Sequence, residues 1–265
     1  ALISQNQEIQ NYISNTTSDS VSENGLISTI QENENGLKTI IIGSGEVNSE
    51  NSLYVYYIDV GQADSILIVN QNQSALIDAG NNEDGENVVN FIKSKGITKL
   101  NYVIGTHPHE DHIGGLDNVI NKIDVDKIYL PEIQTNTKTY EDVLQAIQNK
   151  NQKINSFKQG NKFTIGNAKL EVMTDSILDK NNLNLSSNII RMEFNGTSFL
   201  FTGDAEEENE KTIKWPQTDI LKVGHHGSTT STSQNFLNQL KPKYAIISVG
   251  KDNEYGHPNK EILQK

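Results

Sequence analysis

The pattern of apolar and polar residues changes sharply at Leu53. Residues 1–50 show little periodicity and are rich in Asn, Ser, Thr, Gln and Glu. Two stretches within them, Leu26–Ile30 and Leu37–Ile42, are apolar enough to form short strands. We therefore expect a polar tail or linker over residues 1–50 and one domain over residues 51–265.

From Leu53 onward, short apolar runs alternate with polar turns and with segments of helical period. Each half of this region begins with strands and continues with strand–helix alternation, which predicts an α/β fold with two plausible sheets. Helices on the outer faces of two mixed sheets would give a four-layer αββα sandwich. The predicted strands are Leu53–Asp59, Ser65–Val69, Ser74–Asp78, Tyr102–Thr106, Lys127–Leu130, Lys162–Ile165, Lys169–Met173, Asn188–Phe194, Ser198–Thr202, Ile220–Val223 and Tyr244–Val249. The predicted helices are Asp84–Lys95, Ile113–Ile123, Tyr140–Ile147 and Ser233–Leu240.

Composition narrows the chemistry that this domain can carry. The 265 residues include no cysteine, which excludes disulfides and thiolate-bound zinc, so a metal must be held by His, Asp or Glu. The net charge of −12 counts against non-specific binding to nucleic acid, although divalent cations would offset it where a phosphate binds. No apolar run approaches the roughly 18 residues of a transmembrane helix. The oligomeric state does not follow from the sequence.

Positive charge collects in one segment without any acidic residue, between Val143 and Leu170. Such a run indicates either a solvated lysine face or an edge that faces phosphate. Its lysines are Lys150, Lys153, Lys158, Lys162 and Lys169.

Three of the six histidines fall within the hexapeptide that follows the predicted strand over residues 103–106. His107 and His109 leave the strand end in extended geometry, so both should point to the same side. Asp111 stands where a helix begins and is expected as its N-cap, which would direct Asp111 and His112 toward a second point nearby. One loop would thus serve two metal positions. Open sites with His and carboxylate ligands suit Zn²⁺, with Mn²⁺ or Fe as alternatives.

Polar residues of metal-binding type follow other predicted strands as well. Asp78, Asp204 and the pair His225 and His226 each lie at the carboxyl end of a strand, where α/β proteins usually bind their ligands. For Asp204 the alternative interpretation is an ordinary cap of a helix over Ala205–Thr212.

Six motifs together resemble the ComEC-type branch of the metallo-β-lactamase superfamily. The His-x-His-x-Asp-His block is typical of the superfamily, and the Asp-Val-Gly-Gln and Tyr-Gly-His-Pro pieces narrow it to the branch. That branch includes the nuclease-like domain of competence DNA-uptake proteins, and a phosphorylcholine esterase of the cell surface is similar. The motifs are Asp59–Ser65, Thr106–Gly115, Phe201–Asp204, Lys222–Ser228, Ser248–Gly250 and Tyr255–Pro258.

The resemblance implies the αββα sandwich and a centre for two divalent metal ions. Metal one would be held by His107 and His109, and metal two by Asp111, His112 and His225, with Asp204 bridging the two. Three further residues would contact the ligands rather than the metals, namely Asp59, Asp78 and Asn184.

One further histidine of the superfamily, expected just before strand Asn188–Phe194, is absent. Asn184 or Ser187 stands in that region. Metal one is therefore expected to be held more weakly, because fewer protein ligands leave more of its positions to water. A carbonyl oxygen of Asn184 would compensate only in part, since it is a poorer zinc ligand than imidazole.

The expected chemistry is hydrolysis by a hydroxide that bridges the two metals, with Asp111 among the residues around the nucleophile. His226 or His257 would protonate the leaving group or hold a non-bridging oxygen. Lys222 would add positive charge. The alternative interpretation of Lys222 is a buried lysine at a strand end, paired with a carboxylate.

A phosphodiester is the expected substrate, either nucleic acid or a phosphorylcholine-type ester. Two alternatives remain open: a lactone or amide hydrolase of the same fold, and a non-catalytic cell-surface binding module that has lost metal one. The polar N-terminal stretch favours a secreted or surface-attached bacterial protein. Relatives usually continue past the Tyr-Gly-His-Pro motif, so we expect the domain to extend beyond Lys265.

Overall fold

The chain forms two mixed β-sheets with helices packed against their outer faces. A computed structural model describes residues 52–175 and 177–265, together with the backbone of four strands among residues 1–50. The strands are β1 (Leu2–Ser4), β2 (Ser20–Glu23), β3 (Leu26–Glu32), β4 (Lys38–Ser44), β5 (Leu53–Tyr57), β6 (Ser65–Asn70), β7 (Gln73–Ala79), β8 (Lys99–Ile104), β9 (Asp124–Tyr129), β10 (Ile154–Asn155), β11 (Lys162–Ile165), β12 (Ala168–Thr174), β13 (Ile189–Phe194), β14 (Thr197–Phe201), β15 (Ile220–Lys222) and β16 (Tyr244–Ile246). The helices are α1 (Gly85–Ser94), α2 (Glu110–Ile113), α3 (Leu116–Lys122), α4 (Lys138–Asn149), α5 (Glu207–Glu210), α6 (Gln234–Leu240) and α7 (Lys260–Leu263).

The sheet order brings several carboxyl strand ends to one place. One sheet has the order β10-β9-β8-β7-β6-β5-β4-β3-β2, and the other has the order β1-β16-β15-β14-β13-β12-β11. Strands β7, β8 and β9 run parallel in the first sheet, as do β14, β15 and β16 in the second. Parallel neighbours end at the same edge of a sheet, and ligands of α/β proteins bind at such edges.

Three apolar clusters separate four structural layers. Successive residues of a strand point to opposite faces. In β5, Tyr56 joins the cluster under helices α1, α3 and α4, whereas Val55 joins the cluster between the two sheets. In β14, Phe199 faces that same central cluster, whereas Leu200 packs with residues of α6 and α7. The layers therefore run helix, sheet, sheet, helix, and the predicted αββα sandwich is confirmed.

The helix predicted over Ile113–Ile123 is two helices, α2 and α3, with Gly114 and Gly115 between them. Both glycines pack against the backbone at the carboxyl end of β7. A Cβ on Gly114 would lie 2.3 Å from the backbone of Asn81, and one on Gly115 would lie 2.4 Å from the carbonyl oxygen of Ala79. Larger residues would force α2 away from the sheet, so the glycines hold the histidine loop against β7.

The other predicted elements agree with the structure to within a few residues. Asn195 and Gly196 both have positive φ, at 46° and 82°, as a tight two-residue hairpin turn requires. Ser233 caps α6, and its hydroxyl accepts the N–H of Phe236 at 3.2 Å. The short elements β1, β2, β10, α5 and α7 were not among the predicted strands and helices, because none is long enough to show a period. Within the described ranges, no helix combines the length and the apolar character needed to cross a lipid bilayer.

The first fifty residues contribute strands to both sheets. Strands β3 and β4 coincide with the two apolar stretches of this region, and β4 pairs with β5 through Ile40 to Ile42. Strand β1 pairs with β16. The division of the chain into a tail and a domain at residue 50 stays a prediction. It implies that the domain remains folded when the pairings of β1 with β16 and of β4 with β5 are removed.

We predict that a chain beginning at Ser52 still hydrolyses substrate, since every candidate ligand lies after that residue. The shortened chain would expose the edge of β5, so its solubility and thermal midpoint should fall before its activity does. The measurement is kcat/KM beside a melting curve for both chains. Loss of activity in a shortened chain that remains folded would show that residues 1–51 complete the domain.

Candidate metal centre

His107 and His109 meet at the carboxyl end of β8. Their rings lie 4.8 Å apart between centroids, and His107 Nε2 is 3.0 Å from His109 Nδ1. The extended backbone of His109 caps α2, which places Asp111 inside the first turn of that helix. The expected N-cap role of Asp111 is therefore wrong, and His109 takes that position. Asp111 and His112 follow within this turn, and the ring of His112 lies 4.1 Å from that of His107 between centroids.

Asp78 and Thr106 orient the buried histidine rings from behind. Asp78 Oδ1 accepts the N–H of Thr106 at 2.8 Å, and Asp78 Oδ2 accepts the Thr106 hydroxyl at 2.8 Å. Asp78 Oδ2 also lies 2.8 Å from His112 Nδ1. The Thr106 hydroxyl oxygen is 3.2 Å from His107 Nδ1. Asp78 thus lies behind the ring of His112, and its expected role of orienting the metal ligands stays a prediction.

These contacts determine which nitrogen of each ring carries a proton. Asp78 accepts from His112 Nδ1. Thr106 uses its only hydroxyl hydrogen on Asp78, so its oxygen accepts from His107 Nδ1. His226 Nδ1 donates to the carbonyl oxygen of Ser248 at 2.9 Å. In the neutral form of each ring the outer nitrogen therefore donates, and Nε2 keeps a lone pair directed inward, which is the form in which imidazole binds a metal.

Asp204 stands between two groups of such ligand atoms. Its Oδ1 is 3.1 Å from His112 Nε2 and 3.5 Å from His226 Nε2. Its Oδ2 is 3.8 Å from His107 Nε2. Each carboxylate oxygen thus belongs to a different group. Position one comprises His107, His109 and Asp204, and position two comprises Asp111, His112, Asp204 and His226.

The residues present fit divalent cations at both positions. His112 Nε2 and Asp204 Oδ1 are buried and 3.1 Å apart, yet neither has a hydrogen-bond partner. Unpaired buried polar atoms are rare, and they call for a missing partner such as an ion. Nitrogen and carboxylate donors of this kind are the usual ligands of zinc and related ions.

The electrostatics of the centre also favour positive charge. Burial alone would lower the pKa of His112, but Asp204, Asp111 and Asp78 raise it well above the ordinary value. Burial would raise the pKa of Asp204, but His112 and His226 hold it well below the ordinary value. The carboxylates therefore remain ionised and attract cations.

The two adjacent histidines after β15 do not take the expected places. His225 and His226 both have a left-handed backbone, with φ of 46° and 51°. His226 turns inward, where its Nε2 is 3.1 Å from Asp111 Oδ2. His225 Nδ1 lies 2.9 Å from the hydroxyl of Thr230 and 3.3 Å from Glu206 Oε1. His226 therefore belongs to the group at position two. His225 belongs to neither group, although its Nε2 lies 3.8 Å from Asp204 Oδ2, and its expected role as a metal ligand stays a prediction.

Lys222 does not reach the cavity. Its side chain is 0% exposed, and its Nζ lies 2.7 Å from Asp64 Oδ2 and donates to the carbonyl oxygen of Val223. The expected catalytic role is therefore wrong and the alternative interpretation holds. Asp64 connects the pair to the centre, because its Oδ1 is 3.6 Å from His226 Nδ1 and its N–H donates to the carbonyl oxygen of Asp111.

Asp59 is likewise displaced from its expected role. Its side chain is exposed, and its Oδ1 accepts the N–H of Gly61 at 3.1 Å. It closes the turn after β5, whereas Asp64 of the same motif is the carboxylate that lies against a ligand. Sequence reasoning missed Asp64, Thr106 and Glu206, although Thr106 directly precedes His107.

A cavity of about 310 Å³ opens over the two positions. His225 and His257 stand on its wall with ring centroids 5.7 Å apart. The amide nitrogen of Gln62 lies 3.5 Å from His257 Nδ1. The lysine run does not line the cavity, and Lys158 and Lys162 pair instead with Glu132 and Glu171. The remaining lining residues are His109, Glu110, Asp111, Asn184, Asp204, His226 and Tyr255.

The fold and the paired ligand groups define a class of protein. The sequence profile of the metallo-β-lactamase superfamily matches residues 58–251, which contain every ligand named above. The chain therefore belongs to the metallo-β-lactamase superfamily, a family of metal-dependent hydrolases.

Among curated proteins, the chain is similar to competence proteins. It is 35% identical to ComE operon protein 3 of Bacillus subtilis over 229 residues, which cover 78% of this chain and 30% of that protein. It is 27% identical to competence protein ComA of Neisseria gonorrhoeae, over 83% of this chain and 30% of that protein. These relatives are consistent with the ComEC-type branch. The chain spans less than a third of their length.

The metallo-β-lactamase MIM-1 of Novosphingobium pentaromativorans aligns with a TM-score of 0.49 and 14% identity, covering 70% of this chain and 82% of that one.

Proposed function

We propose that this protein is a phosphodiesterase whose centre binds two divalent cations, zinc first among them. The observation that carries the proposal is the division of the Asp204 oxygens between two ligand groups at the floor of one cavity. Bound divalent cations would supply Lewis acidity and would activate water for attack. The other steps depend on residues of the chain.

The wall of the cavity provides donors for a second charged group of the substrate. Gln62 donates to His257 Nδ1, which places the proton of a neutral His257 ring on Nε2. Burial and the neighbouring His225 lower the pKa of His257, so this ring is neutral near pH 7. A neutral N–H donor can hold a non-bridging phosphate oxygen. His225 stands beside it and can donate to the leaving oxygen when protonated.

Nucleic acid is the phosphodiester that we propose first. The names of the relatives, competence proteins and a recombination protein of Haemophilus influenzae, support a substrate of this class. The net charge of −12 disfavours a long duplex, whose charge would meet the acidic surface over many phosphates. A single strand needs to present only one linkage to the cavity. We also retain the proposal that the protein is secreted or attached to the cell surface.

The test compares three substrates with the zinc- and manganese-loaded protein: bis-(p-nitrophenyl) phosphate, p-nitrophenyl phosphorylcholine and a lactone. We expect turnover of the first, and faster cleavage of a single-stranded oligonucleotide than of its duplex. Preferential turnover of the lactone would identify the protein as a lactone or amide hydrolase instead. No turnover by a protein that holds both cations would indicate a binding module.

Variants of the two adjacent histidines separate binding of the cations from contact with the substrate. We predict that His226→Ala loses one equivalent of cation and its activity together. His225→Ala should keep both equivalents while kcat falls by about 10²-fold, the loss that follows removal of one transition-state donor. Metal content by mass spectrometry and kcat are measured on the same samples. The opposite pattern would restore His225 as the ligand.

A further inference from the structure

Asn184 has a buried oxygen that no donor satisfies. The residue is 7% exposed, and its Oδ1 has no hydrogen-bond partner. The side chain lines the cavity together with His109 and Asp204. Leaving a buried oxygen unsatisfied is unfavourable, so its retention beside the candidate metal ligands points to a cation as its partner.

Glu206 decides which end of the Asn184 amide faces the ligands. Glu206 Oε1 lies 3.2 Å from Asn184 Nδ2, and Glu206 Oε2 accepts from Asn182 Nδ2 at 2.8 Å. An ionised carboxylate only accepts hydrogen bonds, so the amide atom that touches it must be the nitrogen. The amide oxygen is therefore turned away from Glu206.

The two cation positions differ by one protein ligand. Position two has four, whereas position one has His107, His109 and Asp204.

We propose that Asn184 Oδ1 is the fourth protein ligand of the cation at position one, and that Glu206 is the positioning residue that fixes this orientation. The inference rests on the proposed two-cation centre but not on the identity of the substrate. A neutral amide oxygen suits Mn²⁺ better than it suits Zn²⁺. Position two has the carboxylate of Asp111 where position one has the amide of Asn184. Position one should therefore bind its cation more weakly and should accept Mn²⁺ more readily.

The experiment is a Mn²⁺ titration of the metal-free full chain. Binding is measured by calorimetry, and the bound Mn²⁺ is observed by electron paramagnetic resonance. The wild type should bind two equivalents of Mn²⁺ with unequal affinity. Binding of the second equivalent should replace the resonance signal of isolated Mn²⁺ with the signal of a spin-coupled pair. Asn184→Leu keeps the size of the side chain but removes the oxygen. It should weaken only the second equivalent, by at least about tenfold, and should abolish the coupled signal.

Three further variants sharpen the assignment. Glu206→Gln lets the amide of Asn184 turn over, and should weaken the second equivalent like Asn184→Leu. Asn184→Asp returns a ligand oxygen, now charged, and should restore or tighten that equivalent. Asn181→Leu is the matched control, because Asn181 is exposed and contacts Asp179 rather than the cavity, and it should leave both equivalents unchanged.

Unchanged affinities in Asn184→Leu would overturn the inference. Loss of both equivalents in that variant would overturn it too, because Asn184 would then support the whole centre rather than one position. A wild-type chain that binds no Mn²⁺ or Zn²⁺ would reject the two-cation centre itself. Two tight equivalents without hydrolysis would reject only the proposed activity.

Discussion

Replacing Asp204 by Asn should lower kcat/KM by at least about 10³-fold and leave the chain folded. Asn has nearly the same shape but no charge, and only one of its two terminal atoms can bind a cation. In the structure, Oδ1 of Asp204 faces His112 and Oδ2 faces His107. One substitution therefore weakens both positions, and about 4 kcal/mol of lost transition-state stabilisation corresponds to this fall in rate.

The measurements are hydrolysis of bis-(p-nitrophenyl) phosphate, metal content and thermal midpoint. Asp219→Asn is the matched control, because Asp219 is also a carboxylate beside β15 but lies at the opposite end of the strand. It accepts from the N–H and hydroxyl of Ser198 and pairs with Lys243. This control should change stability without removing cations. An Asp204→Asn variant with wild-type turnover would reject the assignment of the centre.

Replacing Lys222 by Met should cost about 3–5 kcal/mol of unfolding free energy, the usual penalty when one partner of a buried ion pair is removed. Lys222 belongs to β15 of one sheet, and Asp64 precedes β6 of the other, so their contact of 2.7 Å joins the two sheets beside the centre. The substitution leaves the Asp64 carboxylate buried without its cation. Urea denaturation of the wild type and the variant measures the difference.

A double-mutant cycle separates the ion pair from simple packing. Lys222→Met combined with Asp64→Leu removes both charges, and apolar replacement of a buried pair is often neutral or stabilising. We expect the double variant to recover most of the free energy lost in Lys222→Met. Equal stability of the wild type and the single variant would contradict the prediction. Additive losses in the double variant would contradict it as well.

The strands and the candidate ligands could be predicted because both depend on local pattern. An apolar run of five or six residues, such as β6, is buried on both faces in a two-sheet sandwich. Polar residues directly after such runs, as in the case of His107 and Asp204, can only lie at the carboxyl edge. Alternation along the chain does not fix sheet order, which depends on contacts between distant segments.

The sequence by itself determined the class of fold, the histidine loop and the absence of thiolate ligands. Only the tertiary structure decided which of two adjacent histidines turns inward. Both residues have a left-handed backbone, and His226 is the one whose ring is held by the carbonyl oxygen of Ser248 on a neighbouring segment. In the same way, Asp64 rather than Asp59 pairs with Lys222, and Glu206 orients Asn184. Each of these choices depends on a partner more than twenty residues away. The physical reason is that a buried polar atom takes the partner that folding brings within reach, and residue type and local spacing do not specify that partner.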